Sequence, residues 1–461
     1  MKYQSDATSK EAWWISLQSL LQLAWPILGA QVAQTGMSVV DTLMAGRLSA
    51  LDLAAISVGS SLWMPLFLFV IGTLLATTAL VAQAQGARQY GLIAASVQQA
   101  LWVAILLTVL GVWVLTHSEV LFLAMQVETE IRRLSVAYLQ ALAWGLPAVA
   151  GFQILRSYCE ALGHARPMLL IALCGLLLNI PANYALIYGA WGFPQLGAVG
   201  CGYATALSFW VMLLLALAYT GRSQSFAMIP LYRKFTGWVP AIFKEILVVG
   251  LPIGVAIFAE VSLFAVIALF IARFGETVLA AHQIAINLTS LLFMLPLSLG
   301  MALTIRVGNA VGAHQLEYAA SLATRGIWTA LVIACMMAIS MLLAATTLVS
   351  LYTENTQVIQ LAATLVSIAA AYQISDALQV TCAGALRGYK DTRVIMWVTL
   401  FAYWIVGLGG GYTLGLLEVD LLGLTVPPLG VYGFWYGLIA GLTCAAALLV
   451  WRLRYRMQQP I

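Results

Sequence analysis

The 461-residue sequence predicts an all-α membrane protein, twelve transmembrane helices in two six-helix lobes. Composition, the length of its apolar runs and an internal repeat carry that prediction. Hydrophobic residues make up 62% of the chain and charged residues 8%, against roughly 25% charged in soluble domains. Most of it therefore needs lipid as its solvent. Apolar stretches of about 20 residues can each cross, as helix, a hydrocarbon core roughly 30 Å thick. They recur over 20–46, 52–84, 93–116, 133–157, 167–189, 197–220, 245–272, 278–308, 318–349, 358–385, 393–416 and 429–453. The second and eighth are long enough that extramembrane turns are expected inside them.

Basic residues test that count, because Lys and Arg gather in cytoplasmic loops and a wrong number of spans would mix the two sides. Only Arg47, Arg132, Arg133 and Arg273 map to one side. The other side collects Lys2, Lys10, Arg88, Arg156, Arg166, Arg222, Arg233, Lys234, Lys244, Arg306, Arg325, Arg387, Lys390, Arg393, Arg452, Arg454 and Arg456. Both termini are placed in the cytoplasm on that asymmetry. The net charge of +4 follows from the same topology and calls for no nucleic acid. A cleavable signal is not expected, since the first apolar run is of spanning length and can direct insertion itself. Cys159, Cys174, Cys201, Cys335, Cys382 and Cys444 have no C-x-x-C spacing, so neither a disulfide framework nor a metal knuckle is predicted.

The repeat divides the chain. Leu23-Ala24-Trp25-Pro26-Ile27 returns as Val249-Gly250-Leu251-Pro252-Ile253, and Leu53-Ala54-Ala55 as Leu279-Ala280-Ala281, both 226 positions on. Val81 to Ala87 (VAQAQGA) returns at the same offset as Val307 to Ala313 (VGNAVGA). Leu196-Gly197 onward returns as Leu429-Gly430 onward, at offset 233, which implies a longer loop around Leu417 to Pro428. Six spans per half make the halves parallel repeats about an axis along the membrane normal. The predicted limits are 1–220 for the first lobe, 221–244 for a cytoplasmic linker rich in basic, proline and aromatic residues, and 245–461 for the second. Substrate is expected between the lobes, and the linker partly on the membrane surface.

Mapping the 17 acidic residues leaves three inside apolar spans, Asp41, Glu260 and Asp376; Glu160 and the others fall in loops, termini or helix ends. A charge at a helix centre costs about 2.5–3.5 kcal/mol on insertion scales, tolerated where the group faces a cavity, takes up a proton or binds a cation. The repeat pairs Glu260 with Gln34 and Asp41 with Ile267, so the fold does not require these carboxylates in both lobes. Each has a plainer alternative, a hydrogen bond across helices. Gln31, Gln34, Ser38 and Asp41 form a polar stripe down the first span, and Tyr372 lies one turn before Asp376. Asn179 and Asn183 repeat that spacing in the fifth span, where they serve either as interhelical glue or as partners of Asp41. Gln34 and Gln283 join the three carboxylates as candidates to touch substrate, with His282 beside them. Pro26 and Pro252, inside equivalent helices, are expected to kink them. Met37, Phe258, Phe264, Phe293 and Met294 can either line a pocket for flat cations or face lipid.

Ala33-Gln34-Thr35-Gly36-Met37 with Val40-Asp41-Thr42, Leu178-Asn179-Ile180-Pro181, Val199-Gly200-Cys201-Gly202, Phe258-Ala259-Glu260 and Ala280-Ala281-His282-Gln283 follow one another in a familiar order. The run from Ala371-Tyr372-Gln373 through Asp376 to Arg387-Gly388-Tyr389-Lys390-Asp391 completes it. Together they resemble the NorM branch of the multidrug and toxic compound extrusion (MATE) family, over nearly the whole chain. That resemblance implies a V-shaped, alternating-access antiporter in a bacterial inner membrane; lipid is its expected surrounding and a monomer its expected state. The implied activity is export of lipophilic cationic drugs and dyes against inward H+ or Na+, with no cofactor and no enzymatic step. It also implies a cation site at Glu260, Asp376 and Tyr372, the two carboxylates being ligands if the ion is Na+. A proton- or sodium-linked site at Asp41, Asn179 and Asn183 is implied as well.

A lipid or oligosaccharide flippase of related architecture is the main rival, and it would call for cationic residues in its cavity. A channel is separated by flux, since it dissipates gradients. No phosphate-binding glycine loop, H-E-x-x-H or G-x-S-x-G motif supports hydrolysis or ATP-driven pumping.

Overall fold

The computed structural model describes residues 9–233, 235–421 and 424–459; Lys2, Asp6, Lys234 and the two chain ends lie outside the described residues. In chain order the helices are α1 (Ser9–Leu48), α2 (Ala50–Leu74), α3 (Ala76–Gly86), α4 (Tyr90–Thr116), α5 (Ser118–Ala124), α6 (Thr129–Ala143), α7 (Leu146–Ala161) and α8 (Ala165–Tyr188). There follow α9 (Ala198–Arg222), α10 (Pro240–Ile271), α11 (Glu276–Gly312), α12 (Leu316–Ser350), α13 (Thr356–Gly388), α14 (Thr392–Leu400), α15 (Gly410–Leu416) and α16 (Val431–Met457). A π-helical stretch, Phe401–Gly409, joins α14 to α15. The longer loop implied by the repeat holds a small antiparallel hairpin, β1 (Val419–Leu421) with β2 (Leu424–Val426).

Ten helical stretches among the described residues are long and apolar enough to cross a membrane, and the pair α6–α7, bent by 44°, makes eleven. The twelfth predicted span is α1, whose 40 residues include the polar stripe that interrupts its apolarity. The expected turns inside the second and eighth spans are absent among the described residues. α2 and α3 meet at Leu75, itself helical at φ −60 and ψ −19, and α11 runs unbroken for 37 residues. Both stretches are about 55 Å long at 1.5 Å per residue, so the surplus length is helix and not loop. The α6–α7 bend has a local cause. Gly145 lets the backbone of Ala206 on α9 approach where a Cβ would collide, and Pro147 begins the next helix, where a missing N–H costs nothing.

Burial is inverted relative to a water-soluble chain. The most apolar span, Pro240–Phe274, is also the least buried, and Leu269 and Leu343 stand 72% and 84% exposed. These side chains are in their preferred solvent only if that solvent is hydrocarbon.

Packing divides the chain into two compact units, Trp25–Gly254 and, with the chain up to Ala24, Val255–Ile461. The lobe limits predicted above follow the repeat, whereas this division follows contacts and falls inside α1 and α10, next to Pro26 and Pro252. Both helices continue through their prolines. The repeat itself reappears in the backbone. Gly197 and Gly430, paired by sequence, share φ 57, ψ −132 and φ 59, ψ −133, a conformation open only to glycine, and each precedes the last long helix of its half. Arg88 and His314, 226 positions apart, both take left-handed φ (56 and 58) one residue after the C-caps of α3 and α11. There the Gln89 N–H donates to the Ala84 carbonyl and the Gln315 N–H to the Ala310 carbonyl, both at 2.9 Å.

The linker after α9 is held inside the first unit. Gln98 on α4 donates to the Leu231 carbonyl (2.8 Å) and accepts from the Thr236 N–H (2.9 Å). Its neighbour Gln99 donates to the Gly237 carbonyl (2.5 Å) and accepts from the Val239 N–H (3.1 Å). Phe226 is buried and packs against Tyr158, His164 and Tyr219.

Candidate functional site

In the first unit Asp41 comes from α1, Asn179 and Asn183 from α8, and Thr205 from α9. Spacing of four puts the two asparagines on one face of α8, and the structure brings that face to Asp41. The Asn183 amide donates to Asp41 Oδ1 (2.6 Å) and to Asn179 Oδ1 (2.9 Å). Asn179 donates to Thr205 Oγ1 (3.2 Å), and that hydroxyl donates to Asp41 Oδ2 (2.7 Å). The four side chains close a ring, all of them buried. Each carboxylate oxygen has a donor, so a buried negative charge is held by fixed dipoles instead of by a cation.

The polar stripe of α1 splits between two networks. Gln31 and Gln34 do not join Asp41. Their carbonyls accept from Arg156 Nη1 at 3.4 and 2.9 Å, and Arg156 Nε donates to Glu160 Oε1 at 2.7 Å. Arg156 and Glu160 are 2% and 1% exposed, a buried ion pair on successive turns of α7. The charge map assigned Arg156 to the cytoplasmic side and Glu160 to a helix end or loop. Glu160 does stand at the C-terminal end of α7, and the structure adds that the pair is buried, so that each charge offsets the other's desolvation. Gln34, a predicted substrate contact, already has its carbonyl engaged.

In the second unit Glu260 comes from α10, and Tyr372, Gln373 and Asp376 from α13. Asp376 is buried and Glu260 half-buried, and the two are within electrostatic reach of each other. Asp376 Oδ1 is buried with no hydrogen-bond partner, as are both amide atoms of Gln373, one turn earlier on the same helix. Tyr372 bonds Thr289 and stacks on Trp435 with ring centroids 6.0 Å apart. Trp435 also takes the edge of His282 at 5.7 Å. Gln283, next to His282, is exposed, and of the aromatic and methionine candidates Met37 is buried while Phe258 is exposed.

Arg387, in the last turn of α13, is buried and reaches Glu260 electrostatically. Asp41, Glu260 and Asp376 form no ion pair within 4.0 Å among the described residues. Two further side chains escaped the sequence reading. Tyr403 Oη donates to Gln379 Oε1 (3.0 Å), and Trp404 Nε1 donates to the Ala259 carbonyl (3.2 Å).

No group of three or more His, Cys, Asp or Glu residues is assembled for a metal ion among the described residues. The donors around Asp376 are oxygens of two carboxylates, a phenol and an amide. Oxygen donors of this kind suit hard cations and are a poor match for soft metals.

Comparison with known proteins agrees with this architecture. Residues 26–185 and 252–413 match the family model MatE, one segment in each half. The chain is 45% identical over 436 residues to the probable multidrug resistance protein NorM of Shewanella oneidensis, covering 95% of this chain and 94% of that one. It is 44% identical to the multidrug resistance protein MdtK of Photorhabdus laumondii, covering 96% of each. Among solved structures, a crystal structure of MATE in the bent conformation superposes with a TM-score of 0.86 at 21% identity, over 96% of this chain and 95% of that one. The eukaryotic MATE transporter AtDTX14 gives 0.83 at 20% identity, over 97% and 100%. With its helical spans, its paired halves and these full-length likenesses, this chain is a multi-pass membrane protein that belongs to the MatE family of multidrug efflux transporters.

Proposed function

We propose that this protein is a secondary active antiporter of a bacterial inner membrane, with both termini cytoplasmic, that exports lipophilic cationic drugs and dyes in exchange for inward H+ or Na+. One observation carries the reading. The Asp376 carboxylate is buried beside Glu260 with an oxygen that no protein donor satisfies. A bare buried oxygen beside a second carboxylate is costly unless a cation visits it.

Exchange then follows from competition. A cationic drug is attracted to deprotonated Asp376 and Glu260. A proton that neutralises one of them, or a sodium ion that coordinates both, removes the attraction and releases the drug on the outer side. Neutral Gln373 and Tyr372 supply oxygens to the ion without adding charge. In the first unit Asp41, already bonded on both oxygens, offers a charge whose position is fixed by Asn183 and Thr205. The names of the curated relatives, multidrug resistance proteins, support the substrate class, and the oxygen donor set supports the class of coupling ion. A monomer is sufficient for this scheme, and it requires no resident cofactor.

Dye efflux from vesicles with independently imposed proton and sodium gradients tests the reading. Uphill dye movement driven by one of them is expected, and it should fall by on the order of tenfold or more in Asp376→Asn. Efflux that ignores both gradients, or that survives intact in that variant, overturns it.

A further inference from the structure

The helix from Thr392 to Leu416 changes register in its middle. Over Phe401–Gly409 it is π-helical, a form rare in proteins, mostly confined to single turns and concentrated at functional sites. The wide turn faces a run of close backbone contacts. A Cβ on Gly437 of α16 would collide with the backbone of Gly407 and Gly411, so the π segment is pressed against α16 and cannot shift toward it. On its other side two consecutive side chains reach two different helices. Tyr403, 1% exposed, donates its hydroxyl to Gln379 on α13, three residues after Asp376 and on the same face. Trp404 donates its indole N–H to the carbonyl of Ala259 on α10, the residue before Glu260. Tyr403 is also within electrostatic reach of Glu260, Asp376 and Tyr372.

We propose that the π-helical turn is a positioning element of the cation site, with Tyr403 holding α13 and Trp404 holding α10 so that Asp376 and Glu260 keep the spacing one ion can bridge. Tyr403 and Trp404 act here through Gln379 and the Ala259 carbonyl, not as ligands. The inference rests on the exchange reading given above.

The test uses the full-length chain in vesicles and measures the concentration of driving cation, H+ or Na+, that gives half-maximal dye efflux, separately from the maximal rate. Tyr403→Phe keeps the ring and removes the bond. The expected result is an increase of about fivefold in half-saturating cation concentration, the effect of one net hydrogen bond, with the amount of folded protein unchanged. Gln379→Leu should give the same increase, and the double variant no further one. Should Tyr403→Phe fail to fold, Trp404→Phe, which removes only the N–H to Ala259, takes its place with the same expectation. Exposed Trp397, one helix segment earlier, is the control, and Trp397→Phe should leave the half-saturating concentration unchanged. The proposal is overturned if the site variants leave that concentration unchanged, if they lower only the maximal rate along with folded protein, or if the control shifts equally. Wild-type efflux indifferent to both gradients would remove the exchange reading and this proposal with it; a gradient-driven wild type with unshifted variants would remove this proposal alone.

Discussion

Asp41 and Asp376 occupy equally buried places in the two compact units, yet their surroundings are opposite. Asp41 sits in a ring in which Asn183, Asn179 and Thr205 donate to one another and to both of its oxygens. Around Asp376 the bonding stops: one carboxylate oxygen and both amide atoms of Gln373 find no partner. The first ring leaves one amide oxygen, Asn183 Oδ1, without a partner but bonds both oxygens of its carboxylate, whereas in the second cluster the carboxylate itself is left short. A fully bonded carboxylate is held rigidly, and one short of a donor leaves a demand for a ligand. The contrast assigns structural work mainly to the first cluster and exchange mainly to the second. Substitutions should therefore cost stability in one unit and ion dependence in the other.

The strongest challenge to that contrast lies in the Arg156–Glu160 pair. Glu160→Ala leaves a buried guanidinium without its counter-charge and should destabilise the protein by about 3–5 kcal/mol, read as a lower thermal midpoint in detergent. Replacing both residues with leucine should recover most of the loss. If Glu160→Ala melts like wild type, the first unit does not depend on its polar networks.

Next in size is Asp376→Asn. Gradient-driven efflux should fall by on the order of tenfold or more, the consequence of losing about 1.4 kcal/mol of cation binding, while the thermal midpoint stays near wild type. A large drop in the midpoint with efflux retained would reverse the roles assigned to the two carboxylates.

Asn183→Leu removes the donor to Asp41 and to Asn179 and should cost about 1–3 kcal/mol of stability. Gln373→Leu sharpens the comparison because its effect should be close to zero. No hydrogen bond is lost, so the midpoint should remain within about 0.5 kcal/mol of wild type or rise, while the half-saturating cation concentration increases. Equal destabilisation by the two leucines would erase the distinction between the sites.

Much of this was legible in the sequence because lipid makes composition and periodicity strict. Apolar runs of spanning length, the repeat anchored at Pro26 and Pro252, and the spacing of Asn179 and Asn183 all translate directly into geometry. Thr205 was not legible, since a single threonine in an apolar helix commonly bonds only its own backbone, as Thr329 does. Arg156 and Arg387 were sorted with the cytoplasmic basic residues because charge asymmetry sorts by side of the membrane and is blind to which charges turn inward. Tyr403 escaped because a π turn inserts a residue into the helical period, and periodic reading assumes that none is inserted. Nothing in the sequence marks Gln98 and Gln99 as the residues whose backbone bonds hold the linker.

Those glutamine bonds have a consequence for how the chain is joined together. The clamp on α4 extends as far as Val239, and the next residue, Pro240, already begins a helix. The slack expected of an interdomain tether is thereby taken up. The chain passes from one unit to the other inside α1 and α10, next to Pro26 and Pro252, so each crossing is made of continuous helix.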